Sequence, residues 1–146
     1  MTSAWGVRIL ATVVIATVIA AVVAAIVILG PPSQQRKRKL DQRRIRDLMN
    51  IEQTVNSYWQ RHKTLPPDLV TLSREPGFRP PTSDPERGSV YEFKVTGTDS
   101  FRLCAEFSFD SKEDPQPWYY SPTGPWAHGA GRQCFELTIQ RPESVK

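Results

Sequence analysis

Two histidines, His62 and His128, and two cysteines, Cys104 and Cys134, are the side chains of this 146-residue chain best suited to acid–base, nucleophilic or metal chemistry. Their spacing builds none of the arrangements that such chemistry needs. No Gly-x-Ser-x-Gly turn presents a serine for attack, and no His-Glu-x-x-His pair sets two imidazoles on one helix face. No glycine-rich loop is present to cradle a phosphate, and no Cys-x-x-Cys offers the paired thiolates of a zinc site. The chain is expected not to be an enzyme, and no catalytic residue, metal ligand or cofactor is assigned.

Carboxylates are the next candidates. Asp110, Glu113 and Asp114 lie close together, and Asp99 sits in a nearby turn. Calcium takes six to eight oxygen ligands, and three carboxylates can begin such a site. Solvated loop acids are the simpler reading, and no metal residue is carried forward. The segment from Pro117 to His128 holds four aromatics and three prolines, which makes it stiff and adhesive. Trp118, Tyr119, Tyr120 and Trp126 are its candidate partner-binding residues, because exposed aromatics on a loop mark recognition surfaces. The competing reading folds Trp126 and Tyr119 back over the open face of a thin sheet.

These residues must be positioned by a short series of elements. Ile9 to Leu29 carries no charge and only two hydroxyls, Thr12 and Thr17. As a helix it spans roughly 30 Å, the thickness of a bilayer's hydrocarbon core. It is longer than the apolar region of a cleaved signal, so it is expected to remain as a single-span anchor. Residues 1–8 form a short tail before it. Pro31-Pro32 breaks the helix on exit, and Ser33 is placed to cap the next one.

Residues 30–46 form a basic juxtamembrane stalk, of which Gln34 to Arg46 is expected to be too charged to pack. Residues 31–63 carry a net charge of +6, whereas residues 64–146 carry −3, so the overall +4 is concentrated beside the span. Arg36, Lys37, Arg38, Lys39, Arg43 and Arg44 are the candidate contacts for membrane lipid. Position next to the span favours anionic headgroups over nucleic acid as their partner.

Helical periodicity runs from about Gln34 to His62, with Leu48, Ile51, Val55, Tyr58, Trp59 and His62 on one stripe. Pro66-Pro67 ends it, and Asp68 to Leu72 reads as a short helical turn. Tyr91 to Val95, Phe101 to Phe109 and Cys134 to Ile139 alternate apolar and polar, which predicts three antiparallel strands with one buried face. Cys104 and Cys134 fall out of phase with the apolar residues, on the face away from the core. Outside the cytoplasm they read as one cross-strand disulfide; inside it they read as two buried thiols.

The order of an apolar helix, an exit helix and a small antiparallel sheet resembles a type IV pilin. Asp47 to Tyr58, Leu65-Pro66-Pro67-Asp68-Leu69 with Leu72, and Asp84-Pro85 followed by Tyr91-Glu92-Phe93 resemble the small pseudopilins of type II secretion more closely. Leu103-Cys104-Ala105 and the run from Trp126 through Gly129 to Gln133-Cys134-Phe135 resemble a group of uncharacterised membrane-anchored bacterial proteins. The resemblance covers roughly residues 40–139. Some pseudopilins hold calcium in the corresponding late loop.

This chain departs from the pilin pattern at one place. Gly6 is followed by Val7 and Arg8, and no Glu lies within residues 9–29, so the prepilin-peptidase site and the filament-packing Glu are both absent.

The fold expected is α+β: an N-terminal transmembrane helix, then an amphipathic helix packed on a small antiparallel sheet in residues 47–140, with one disulfide and a tail over 141–146. The resemblance and the cysteine pair imply a non-catalytic, pilin-like domain on the periplasmic side of the inner membrane, contacting envelope or secretion-complex proteins. Seven cations in residues 36–46 oppose that orientation under the positive-inside rule. The alternative is a cytoplasm-facing anchored adaptor whose basic stalk binds anionic lipid or nucleic acid. Oligomeric state is left open.

Overall fold

The computed structural model describes residues 4–29, 31–113 and 124–140. The chain divides into two compact units, Met1–Lys37 and Arg38–Lys146. The first contains α1, Ala4–Leu29, which is apolar around its whole circumference. Such a helix has no stripe to bury against a small domain, and it is long and apolar enough to cross a membrane. Its two hydroxyls are satisfied internally. Thr12 donates to the Ile9 carbonyl at 2.8 Å and Thr17 to the Val13 carbonyl at 2.9 Å, so neither presents an unpaired donor to lipid.

The second helix, α2, spans Pro32–His62. It begins at Pro32, not after a Ser33 cap, because a proline at the first helical position lacks only an amide that would be unpaired there. The chain leaves α2 through Lys63, whose φ of 59° lies in the left-handed region and whose amide bonds to the Trp59 carbonyl. A short helix, α3 (Leu69–Arg74), is capped by Asp68, whose carboxylate accepts the Thr71 N–H at 2.6 Å.

Three strands, β1 (Glu92–Val95), β2 (Ser100–Phe107) and β3 (Gly131–Thr138), form an antiparallel meander in the order β1-β2-β3. Two ends differ from the sequence reading for identifiable reasons. Tyr91 stands outside β1 because its amide bonds to the Thr82 carbonyl. Likewise β2 stops at Phe107 because the amides of Ser108 and Phe109 turn to the carboxylate of Asp41.

The core lies between α2 and one face of the sheet. Ile45, Leu48, Ile51 and Val55 are fully buried, as are Phe101 and Leu103 of β2, while Phe135 and Leu137 of β3 and the adjacent Ile139 join the same cluster. Each such side chain contributes roughly 1.5–3 kcal/mol relative to remaining in water. Tyr58 and Trp59 pack against the cluster from its margin, and His62 is exposed. The expectation that residues 34–46 are too charged to pack is corrected here: Asp41, Arg44 and Ile45 are all buried. A charged residue can be buried when its partners are buried with it, and that pairing is not visible in local composition.

Cys104 and Cys134 face each other across β2 and β3 and are joined by a disulfide. They lie on the sheet face opposite the helix, as their phase in the sequence requires.

Candidate functional site

Arg44 is a buried, multiply bonded polar group of the second unit. Its Nε bonds to Asp84 Oδ2 at 2.5 Å, and its Nη2 reaches Asp84 Oδ1 at 3.1 Å and Glu86 Oε2 at 2.9 Å. Nη1 bonds to Asp41 Oδ1 at 2.7 Å. All three nitrogens of the guanidinium are therefore engaged, with Asp84 held bidentately. The carboxylates are held in turn: Asp41 accepts the Ser108 and Phe109 amides, and Asp84 Oδ1 accepts those of Glu86 and Arg87 at 2.9 Å each.

The electrostatics follow from this geometry. Burial alone would lower the Arg44 pKa, but the hydrogen bonds it donates to Asp84, Glu86 and Asp41 outweigh it, and the group is raised above its ordinary value. Burial would raise Asp84, but Arg44 and the two backbone amides pull it down to about 2. Nearby, the Tyr91 hydroxyl donates to Asp47 Oδ2 at 2.9 Å. Burial raises Asp47, and burial together with the Asp47 charge raises Tyr91. These groups join α2 to the segment before β1 and to the end of β2.

Both histidines have partners within the fold. His62 Nε2 lies 3.0 Å from Glu75 Oε1, and its ring stacks on Tyr58. His128 Nδ1 lies 2.9 Å from the Trp126 carbonyl, so that nitrogen carries the proton, and its ring stacks on Phe107 at 3.8 Å. Ser111 is buried beside it, but its hydroxyl accepts from the His128 backbone amide at 3.2 Å. Asp110 accepts the Lys112 amide at 2.8 Å, and Asp114 lies outside the described residues. Among the described residues no group of three or more His, Cys, Asp or Glu side chains is gathered for a metal ion, and no buried side-chain nitrogen or oxygen lacks a partner.

The sequence-assigned surfaces divide. Arg36, Lys37, Lys39 and Arg43 are exposed. Arg38 is half-buried; its guanidinium lies over the Phe109 ring at 4.6 Å and bonds to the Glu113 carbonyl at 2.8 Å. Arg44 is corrected from lipid contact to buried ion pair, since it is 1% exposed. Trp126 is corrected from partner contact to core: it is 6% exposed and packs on Phe135 with ring centroids 4.8 Å apart. Trp118, Tyr119 and Tyr120 lie outside the described residues.

A second polar feature was missed in the sequence. A groove of about 140 Å³ lies on the sheet face away from α2, lined by Arg87, Glu92, Cys104, Glu106 and Arg132 among others. Arg87 pairs with Glu106, and Arg132 Nη2 reaches Glu92 at 2.7 Å. The same Nη2 lies 3.8 Å from Cys104 Sγ. The alternating charges beside each cysteine were its only trace in the sequence.

No protein-family model, no curated protein and no solved structure matches this chain.

Proposed function

We propose that this chain is a non-catalytic, membrane-anchored domain of pilin-like build, displayed on the outer face of a bacterial inner membrane and contacting proteins of the envelope or of a secretion-type complex. The observation that carries the reading is the coexistence of a membrane-length apolar helix with a disulfide between β2 and β3. Disulfides persist in oxidising compartments and are rare in the cytosol. The order of helix, helix and antiparallel meander supports the pilin-like build. Engagement of the histidines and the buried acids in structural bonds supports a role without catalysis. The Pro31-Pro32 pair in the sequence and the lack of an acid in the span favour a solitary display domain over a filament subunit.

The test is thiol labelling of intact cells with a membrane-impermeant reagent, before and after reduction. Labelling that requires reduction but not lysis supports the outward domain. Labelling that requires lysis would overturn it in favour of the cytoplasm-facing adaptor, with Arg36, Lys37, Lys39 and Arg43 as its lipid-binding side chains.

A further inference from the structure

The two sulfurs of the disulfide stand in different surroundings. Cys104 belongs to the central strand β2 and is 4% exposed, whereas Cys134 belongs to β3 and is exposed. Glu92, Cys104 and Cys134 form one row across the sheet. Arg132, two residues before Cys134, crosses this row to reach Glu92, and its Nη2 comes within 3.8 Å of Cys104 Sγ. The guanidinium therefore both covers Cys104 and places a fixed positive charge on it. Each carboxylate lining the groove has an arginine partner: Glu92 pairs with Arg132, Glu106 with Arg87 and Asp84 with Arg44.

Thiol–disulfide exchange needs a thiolate to approach one sulfur in line with the bond to the other. Its rate rises when the departing sulfur is stabilised as an anion. Cys134 is exposed on β3, which ends the strand order, so a thiolate can reach it from the side of β3 away from β2. Among the described residues no strand pairs with that side. Cys104, by contrast, is 4% exposed and lies in the groove lined by Arg132, Glu92 and residues of the segment 84–91.

We infer that Cys104–Cys134 is a directional exchange site for a dithiol protein: the partner's thiolate attacks Cys134, and Cys104 leaves as a thiolate beside Arg132. In the first step a bond forms between the partner sulfur and Cys134 Sγ, and the Cys134–Cys104 bond breaks with its electron pair on Cys104. The partner's second thiolate then attacks the partner sulfur of that mixed disulfide and releases Cys134 as a thiolate. Two electrons pass from the dithiol to this chain, both released thiolates take up protons as the pH dictates, and the partner is left as a disulfide. The reverse sequence reforms the bond. The site makes the staple reversible under the control of a dithiol–disulfide oxidoreductase, whichever envelope protein the domain contacts.

The test uses the full chain in detergent micelles, with reduced glutathione as the trapping thiol and dithiothreitol as the reducing dithiol. After an acid quench and alkylation, mass spectrometry of the wild-type adduct should place glutathione on Cys134 and the alkyl group on Cys104. Glutathione chiefly on Cys104, or a folded chain whose disulfide resists both reagents, would overturn the inference. Arg132→Gln should slow reduction by dithiothreitol by roughly threefold, because the departing Cys104 sulfur loses the neighbouring positive charge. Arg102→Gln, on the same face but paired to Glu136, should leave the rate unchanged. Equal rates for wild type and R132Q would remove the charge from the argument. If circular dichroism shows R132Q unfolded, the position of the wild-type adduct decides alone.

Discussion

Arg44 of α2 holds Asp84, forty residues downstream, through two parallel bonds of 2.5 and 3.1 Å, and both side chains are buried. The pair fixes the segment that leads into β1 against the helix, and Asp41 and Glu86 complete it. Two consequences follow for stability.

Arg44→Ala strands Asp41 and Asp84 as buried carboxylates without a counter-charge. Removing one partner from a buried ion pair costs about 3–5 kcal/mol. Urea unfolding of the purified chain should show a loss of that size, and a loss under about 1 kcal/mol would mean that solvent replaces the guanidinium.

Asp84 gives the acid limb its sign. Its folded pKa, about 2, lies below the ordinary 3.8, so the folded state releases this proton more readily than the unfolded state. Its contribution is complete above about pH 4 and is lost as pH falls towards 2. Asp47 is shifted the other way by burial and works against it as pH rises through its folded value. Tm measured from about pH 5 to about pH 2 should fall less steeply for Asp84→Asn than for wild type. Parallel curves would refute the assignment.

Trp126→Ala removes a ring buried against Phe135. The expected cost is about 3–5 kcal/mol, as for a core aromatic. Loss of near-ultraviolet dichroism with a lowered melting point would support the core role. An unchanged melting point would return Trp126 to the partner surface.

Cys104 and Cys134 are 30 residues apart, and closing a loop of that length stabilises a fold by about 3–4 kcal/mol. The double Cys→Ala variant should unfold at correspondingly lower denaturant, with the slope of the transition reporting any expansion of the unfolded chain. An unshifted midpoint would show that sheet pairing alone sets the stability.

Much of the fold was legible because it is written in local periodicity. The stripe Leu48, Ile51, Val55 names the buried face of α2, and the alternation in Phe101 to Phe107 names the buried face of β2. The phase of Cys104 and Cys134 against those apolar positions is enough to put both sulfurs on the outer face. The buried ion pairs were not legible in the same way. Asp41 and Arg44 form an ordinary i, i+3 pair in a basic stretch, and nothing in that stretch points to Asp84. Trp126 sits in a run of aromatics that local composition reads as a recognition loop.

The sequence by itself determined an apolar helix of membrane length, the helix-then-meander order and the shared outer face of the two cysteines, because each depends on the spacing of residues along one element. Tertiary structure decided which charges are buried and which cysteine is shielded. Arg44 is inside because Asp41, Asp84 and Glu86 meet it there, and Cys104 is covered because Arg132 crosses from β3 to Glu92 of β1. A charge enters a protein interior only with its partners, and those partners come from distant parts of the chain that only folding brings together.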